Sequence, residues 1–327
     1  MDQTKSGLVL KHIGVAYLPP EAIIEGSIQE PGVVTNAIKN LVRALKIKVR
    51  NVCTSVSGYS VIIKKINLPT ATRQELAENI EVEAEQFIPF DINDVNVDFQ
   101  IIGQAEGQED QMEVVLVAAK KDVIDTYMEI FIEAGLKPTI IDVDVFALEN
   151  AFTQSYAEVE ETIALVDIGA NKMNINIIKN GISLMTKDAA IGGALVTGEI
   201  QDHFDLDYAE AEAIKLGGAK APDEEAVAEI ISRAVEGWVA ESKRVVSLFE
   251  SSYPDEKLQT IYLSGGSSRI DGLDRYFEKE LGIPVRIFNP FIHIGFDASK
   301  FDPAYIEYLG PQASVGVGLA LRRGEEI

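Results

Sequence analysis

The stretch TIALVDIGANKMNINIIKNGISLMTKDAAIGG, residues 162–193, decides how the chain is read. Its apolar run from Ile163 to Val166 leads into Asp167, Ile168 and Gly169, and alternation resumes through Met173, Ile175 and Ile177 until Asn180-Gly181. Period-two alternation on either side of Asn-Gly is a strong hairpin signal, so the segment predicts consecutive short strands. A strand ending in Asp-x-Gly gathers a carboxylate and exposed backbone N–H groups at one point, which suits the magnesium and phosphates of a nucleotide. The same residues would also serve the turn of an ordinary β-meander.

With 327 residues, 46% hydrophobic and 25% charged, the chain has the composition of a soluble globular protein and enough length for two modest domains. A net charge of −23 argues against nucleic acid or an anionic lipid surface as the main partner, but leaves room for a small phosphate site made of backbone donors. Cys53, the single cysteine, sits in the apolar, strand-like NVCTSV. No disulfide can form within the chain, so a reducing cytoplasm is the expected compartment and a small buried hydrophobe the expected role. His12, His203 and His293 lack the spacing and cysteine company of a zinc site. No apolar run reaches the length of a membrane span, and MDQTKSG is not a signal peptide.

The first part of the chain alternates strands and helices. Residues 7–18 predict a strand, and Pro31 opens a helix with Val34, Ile38, Leu41, Val42 and Leu45 on its apolar face. Two strands flank Ser57-Gly58. Thr72 and Glu75 form a capping box for a helix that buries Leu76, Ile80, Ala84 and Phe87, turns Glu78, Glu81 and Glu85 to solvent, and ends at Pro89. Two further strands, VNVDFQIIG and QMEVVLVAAK, precede a helix with the stripe Ile124, Tyr127, Phe131 and Ala134, stopped by Gly135 and Pro138. The block from Pro69 to Pro138 therefore reads as a compact module that could sit as an insertion. In the second half, a short helix is capped by Asp207 with Glu210, and a long one over residues 223–249 turns Val227, Ile231, Ala234, Trp238, Val245 and Phe249 inward, which makes Trp238 core. TIYLSGGSSRI is a strand running into a glycine turn, residues 272–281 a helix, IPVRIFNP a last strand, and PQASVGVGLALR a helix whose small residues admit a close neighbour.

The order and spacing of three elements are specific: Asp167-x-Gly169 after one strand, Ser264-Gly265-Gly266-Ser267 after another, and Ala211-Glu212-Ala213-Ile214-Lys215 on a helix. The first loop can hold phosphates, the second can pass under a nucleoside because glycine has no side chain, and Glu212 with Lys215 on one helical face could reach ribose and base. With these residues the chain resembles the actin-like ATPase superfamily. The run from Asp167 to Asn171 is similar to its second phosphate motif, IYLSGGSSRIDGL to its adenosine motif, and AEAIK at 211–215 to the nucleoside-binding helix of bacterial members. TIIDVDVFALENAF resembles the first interdomain connection and PQASVGVGLAL the second. Within the superfamily, SVIIKKINLP, EVEAEQFIPFDINDVNVDFQ, VLVAAKKDVIDTY and the IFNPF around Asn289, in that order, resemble the PilM family of type IV pilus assembly, itself similar to FtsA.

The resemblance implies an α/β, actin-like (duplicated ribonuclease-H-like) two-lobed fold with an FtsA-type inserted subdomain. It implies a first lobe of residues 1–68 and 138–160 with a returning helix at 311–327, an insertion at 69–137, a second-lobe core of 161–204 and 258–310, and a further subdomain at 205–257. It implies ATP or ADP with Mg2+ held by Asp167, Gly169, Ala170, Asn171, Gly192, Gly193, Glu212, Lys215, Gly265, Gly266 and Ser267, with Asp167 toward the metal. It also implies a cytoplasmic scaffold, peripheral to the inner membrane through partners, that takes the cytoplasmic tail of PilN on the inserted module near Phe87 and Phe90 and meets other pilus inner-membrane components. Two departures qualify this. The family's N-terminal strand, with its Asp-x-Gly-Ser turn, has no counterpart, so a first lobe lacking its N-terminal strands is expected, with roughly 25–35 further residues upstream of Met1, the length of two short strands and their connection. Ala170 and Lys172 stand where strongly hydrolytic relatives have glycine and threonine, so at most weak ATPase activity is expected. The alternatives are an FtsA-like division protein, which should end in an amphipathic membrane helix where LALRRGEEI stands, and a small-molecule kinase, whose catalytic carboxylate is not identifiable.

Overall fold

The computed structural model describes residues 1–322 apart from 6, 25, 106, 157 and 158. The chain forms two compact units, one of Met1–Gly14 and Asp144–Ile327 and the other of Val15–Val143. It begins with an antiparallel hairpin, β1 (Asp2–Thr4) and β2 (Gly7–Val9). The strand expected over residues 7–18 stops at Val9, because the second neighbour of β2 is a strand of only two residues. One more bond, from Leu10 N to Gly295 O at 2.8 Å, is all the ladder that partner supplies.

In the Val15–Val143 unit, the short hairpin β3 (Ile23–Ile24) and β4 (Ser27–Ile28) leads into α1 (Pro31–Ala44), which starts at Pro31 as its sequence requires. Then follow β5 (Asn51–Val56), β6 (Val61–Pro69), α2 (Arg73–Ala84), β7 (Val95–Gln104), β8 (Gln111–Lys120), α3 (Lys121–Glu133) and β9 (Lys137–Val143). The strands either side of Ser57-Gly58 part company: β5 pairs in parallel with β9, whereas β6 joins an antiparallel sheet of order β6-β8-β7. That sheet takes in the strand before Pro69. Cys53 on β5 is half-buried rather than buried.

The Thr72–Glu75 capping box forms in both directions, and α2 lays Leu76, Ile80 and Ala84 on Ile66, Leu68, Val114 and Leu116 of the sheet. Glu78, Glu81 and Glu85 are exposed. α1 and α3 share a smaller core, where Ile130 of α3 packs with Ala22 and with Val34 of α1, while Ile124, Tyr127 and Phe131 of α3 are only half-buried.

The other unit continues with α4 (Asp144–Ser155), β10 (Ile163–Ile168), β11 (Met173–Lys179), β12 (Ile182–Ala189), α5 (Gly193–Phe204), α6 (Tyr208–Lys215), α7 (Glu224–Ser252), β13 (Thr260–Ser264), α8 (Leu273–Leu281), β14 (Val285–Ile287), β15 (Ile294–Gly295) and α9 (Pro303–Leu321). The predicted meander is present: β10, β11 and β12 are antiparallel neighbours, and Asn180 and Gly181 both take positive φ, +52° and +71°, at the turn. With β13 and β14 added in parallel, the sheet order is β12-β11-β10-β13-β14. β10 is buried on both faces by alternation. Ala164, Val166 and Ile168 enter the core that holds Trp238, Phe249 and Phe277, while Ile163 and Leu165 enter the one that holds Leu148, Phe152, Phe288 and Val317. Full burial of each such large side chain contributes about 1.5–3 kcal/mol. β15 lies parallel to β2 in a separate three-stranded sheet.

Two features of this unit differ from expectation. α5 has no counterpart in the sequence reading, and α9 begins at Pro303 behind the Asp302 cap, eight residues ahead of Pro311, which lies inside the helix. The proline looks like a helix opener because it lacks an N–H. Its carbonyl instead accepts Gly265 N at 2.9 Å and Ser314 Oγ at 2.9 Å, tying α9 to the loop after β13. The small residues of α9 do admit a close neighbour: a Cβ on Gly318 would lie 1.7 Å from Ala147 O of α4.

Candidate functional site

β10 and β13 run parallel with Asp167 opposite Ser264, so both strands end at the same edge of the sheet. The loop beginning Ile168-Gly169 and the loop beginning Gly265-Gly266 therefore emerge side by side at carboxyl ends, where open α/β sheets bind ligands. Ser264 Oγ donates to Asp167 Oδ1 at 2.8 Å across this edge. Gly265 has φ +86°, and a Cβ there would meet Ile168 O at 2.3 Å, so only glycine lets the second loop leave its strand against the first.

The first loop turns back at once, with Gly169 N donating to Lys172 O at 2.9 Å. Its carbonyls then receive the amino end of α5: Gly193 N donates to Gly169 O at 2.9 Å and Ala194 N to Ala170 O at 2.8 Å. Gly192, the N-cap, makes no side-chain cap; a Cβ on it would lie 2.3 Å from Ala170 O, and one on Gly193 would lie 2.1 Å from Ser267 Oγ and 3.1 Å from Lys215 Nζ. Ser267 Oγ donates to Gly169 O at 3.3 Å. The expected residues at 167, 169, 170, 192, 193, 215, 265 and 267 thus meet at one place. Asn171 lies within the same turn, and Gly266 is more open, with nothing nearer than 3.9 Å to a Cβ built on it.

Glu212 and Lys215 share one face of α6 as their spacing requires. Lys215 is 5% exposed, and its ammonium donates to Glu212 Oε2 at 2.5 Å, Thr197 Oγ1 at 2.9 Å and Gly193 O at 3.2 Å. Thr197 Oγ1 also bonds Gly193 O at 3.0 Å and Glu212 Oε2 at 2.7 Å. Burial pushes the Lys215 ammonium below its usual range, and the Glu212 carboxylate opposes that shift. The pair thereby pins the glycine turn at the head of α5. Thr197 escaped sequence reading; its one signal is that it stands four residues after Gly193, a single helical turn.

Around Asp167 the charges are close. Burial of its carboxyl, aided by the charge of Asp144, pushes the pKa up to about 6 from 3.8, against the Ser264 hydrogen bond and the Lys172 charge. Lys172 Nζ lies 2.8 Å from Asp144 Oδ2, each side chain about one-fifth exposed. Asp144 is the first residue of α4, and so links the interdomain-connection sequence to the phosphate-like turn.

Phe87 and Phe90 lie in the Val15–Val143 unit, at the end of α2, both half-buried, with Lys120 Nζ 4.7 Å above the Phe90 ring. Phe87, expected to be buried, is only partly so because the helix ends before it.

A family model described as type IV pilus assembly protein PilM matches residues 1–324. The chain belongs to the PilM family. A solved PilM-PilN type IV pilus biogenesis complex contains a chain 28% identical, superposing with a TM-score of 0.85 over 98% of this chain and 93% of that one. The ethanolamine utilization protein EutJ of Carboxydothermus hydrogenoformans is similar in fold alone, at 15% identity and a TM-score of 0.54 over 92% of this chain and 77% of that one. Among curated proteins, the cell division protein FtsA of Neisseria meningitidis serogroup B is 23% identical over 322 residues, 85% of this chain and 77% of that protein. FtsA of Bacillus subtilis is 24% identical over 354 residues, 95% and 77%. The PilM-family fold seen here is actin-like.

Proposed function

We propose that the chain is a cytoplasmic, nucleotide-binding scaffold of type IV pilus assembly that seats the N-terminal tail of PilN and hydrolyses ATP weakly or not at all. The observation that carries this reading is the likeness to a solved PilM-PilN complex along nearly the whole chain, at a TM-score of 0.85. The glycine edge of the sheet supports the nucleotide. A Cβ at Gly192, Gly193 or Gly265 would fall within 2.3 Å of a neighbouring atom, so these loops pack in a way that keeps backbone, not side chains, at the carboxyl ends of β10 and β13. Asp167, Gly169, Ala170 and Asn171 would face the phosphates, and Gly265, Gly266 and Ser267 the nucleoside, with Glu212 and Lys215 toward ribose and base.

Among the described residues no three His, Cys, Asp or Glu side chains converge to hold a metal. Asp167 offers one carboxylate, which fits a magnesium ion that arrives with the phosphates and keeps most of its water. The metal would supply countercharge for the phosphates. Hydrolysis is weak on this reading because Ala170 and Lys172 bring no hydroxyl to the turn and the nearby carboxylate of Asp144 is engaged by Lys172. Among the described residues no helix is long and apolar enough to cross a membrane, so attachment would come through partners.

The partner surface proposed is the end of α2 with Phe87 and Phe90. Phe90→Ala should weaken binding of a labelled PilN-tail peptide at least tenfold by fluorescence anisotropy while shifting the melting temperature little, since the ring is only half-buried. Unchanged affinity, or gross unfolding, removes this surface. A two-hybrid assay against cytoplasmic fragments of PilN and of FtsZ separates the pilus reading from the division one.

A further inference from the structure

We infer that Arg269 and Gln312 read the base of a bound nucleotide, and that together they select a purine without separating guanine from adenine. The inference rests on the nucleotide reading above and names the ligand class of the same site. Gly266 is the open glycine of the second loop, and these two side chains flank it: a Cβ built there would lie 3.9 Å from Arg269 Nη2 and 4.0 Å from Gln312 Cδ. Backbone fixes both. Arg269 ends the single turn that begins at Gly266, and the Pro311 carbonyl that accepts Gly265 N holds α9, and with it Gln312, against the loop.

The guanidinium is held in place before any ligand arrives. Its Nε donates to Gly266 O at 3.1 Å, and one face lies on the Tyr308 ring, 4.6 Å from the centroid. Among the described residues its two terminal nitrogens make no further hydrogen bond, nor does the Gln312 amide, and both side chains are half-buried. After burial, the Arg269 charge is the other influence that lowers the Lys215 ammonium, so the guanidinium lies within electrostatic reach of the helix proposed to face ribose and base. A guanidinium has donors only, so what it takes is an acceptor. Every purine carries one at N7. The group beside N7 differs, an O6 acceptor in guanine and an N6 amino donor in adenine. Gln312 answers either, because its amide offers a donor at one end and an acceptor at the other and can turn over. Cytosine has an amino donor and no N7 on that edge, which leaves the half-buried guanidinium unpaired at a cost.

Calorimetric titration of the full chain with ATP, GTP and CTP in magnesium buffer tests this. The parent, whose ranking needs no variant, should bind ATP and GTP within about threefold of one another and CTP at least about tenfold more weakly. Gln312→Glu keeps the shape but can only accept, so it should favour ATP over GTP by about tenfold or more. Arg269→Met should lose about tenfold for both purines and little for CTP. Arg269→Lys should lose nearly as much, because an ammonium keeps the charge without the planar fork. A parent that prefers one purine about tenfold, an unchanged ratio of ATP to GTP affinity in Gln312→Glu, or equal losses for ATP and CTP in Arg269→Met overturns the proposal while leaving nucleotide binding intact. Absence of binding by all three triphosphates sinks the nucleotide reading itself.

Discussion

Asp167 carries the sharpest consequence at the scale of a single residue. Its carboxyl is pushed up to about 6 in the fold from 3.8, so the folded chain holds this proton more tightly than the unfolded chain does. Such a group favours folding as pH falls from 6 toward 4, and opposes it above 6, where it must ionise in a desolvated position. A shift of this size corresponds to roughly 3 kcal/mol at most, and partial exposure reduces that to about 1–3 kcal/mol. Asp167→Asn keeps an oxygen for the Ser264 hydroxyl and has no charge to bury. Urea denaturation should therefore find Asp167→Asn more stable than the parent by about 1–3 kcal/mol at pH 7.5, with the gap closing near pH 4. A gap independent of pH would mean that the carboxyl is not the titrating cause. Asp167, Gly169 and Gly265 were legible because a strand followed by Asp-x-Gly or Gly-Gly is a local pattern. Thr197 and Asp144 were not, because each matters through a partner well away in sequence, 15 residues for Thr197 and 28 for Asp144.

At the scale of elements, the helices that announce themselves carry their own caps. α2 and α6 each have a capping box within four residues of sequence, and both were predicted at Thr72 and Asp207. α5 was missed because Gly192 offers no capping side chain and the first amides of the helix donate instead to Gly169 O and Ala170 O on a different loop. The cap is tertiary. α9 makes another contact that only the tertiary fold explains. A Cβ on Gly318 would lie 1.7 Å from Ala147 O, while one on Gly316 of the same helix meets nothing within 4 Å. Gly318→Ala should cost roughly 3 kcal/mol as α9 is forced off α4, whereas Gly316→Ala should be neutral or stabilising by up to about 1 kcal/mol through helix propensity. Thermal melting of the two variants compares a close crossing with an open helix surface; equal melting temperatures would mean that the α4–α9 crossing is not tight.

Over the whole molecule, each of the two units has its own buried clusters, and Trp238, the single tryptophan, lies in a core of the Met1–Gly14 and Asp144–Ile327 unit. The glycine edge lies in that unit as well. Trp238 fluorescence should thus report the melting of the unit that holds the proposed nucleotide site. ATP at a hundred times its Kd should stabilise that transition by about 2.7 kcal/mol, and far-UV circular dichroism should reveal a second transition less affected by ATP. An unmoved Trp238 transition at saturating ATP would place nucleotide binding elsewhere. What the sequence determined by itself were the meander around Asn180-Gly181, the strand-to-glycine turns and the side-chain-capped helices, because their causes lie within a few residues. Tertiary structure decided the rest. It ended β2 at Val9 where its partner strand ran out, left Pro311 inside a helix because its carbonyl had a use, and paired Lys215 and Lys172 with acceptors and carboxylates on neighbouring elements. A backbone donor or a buried charge takes its place from whichever group the fold brings near it, and that group need not be close in sequence.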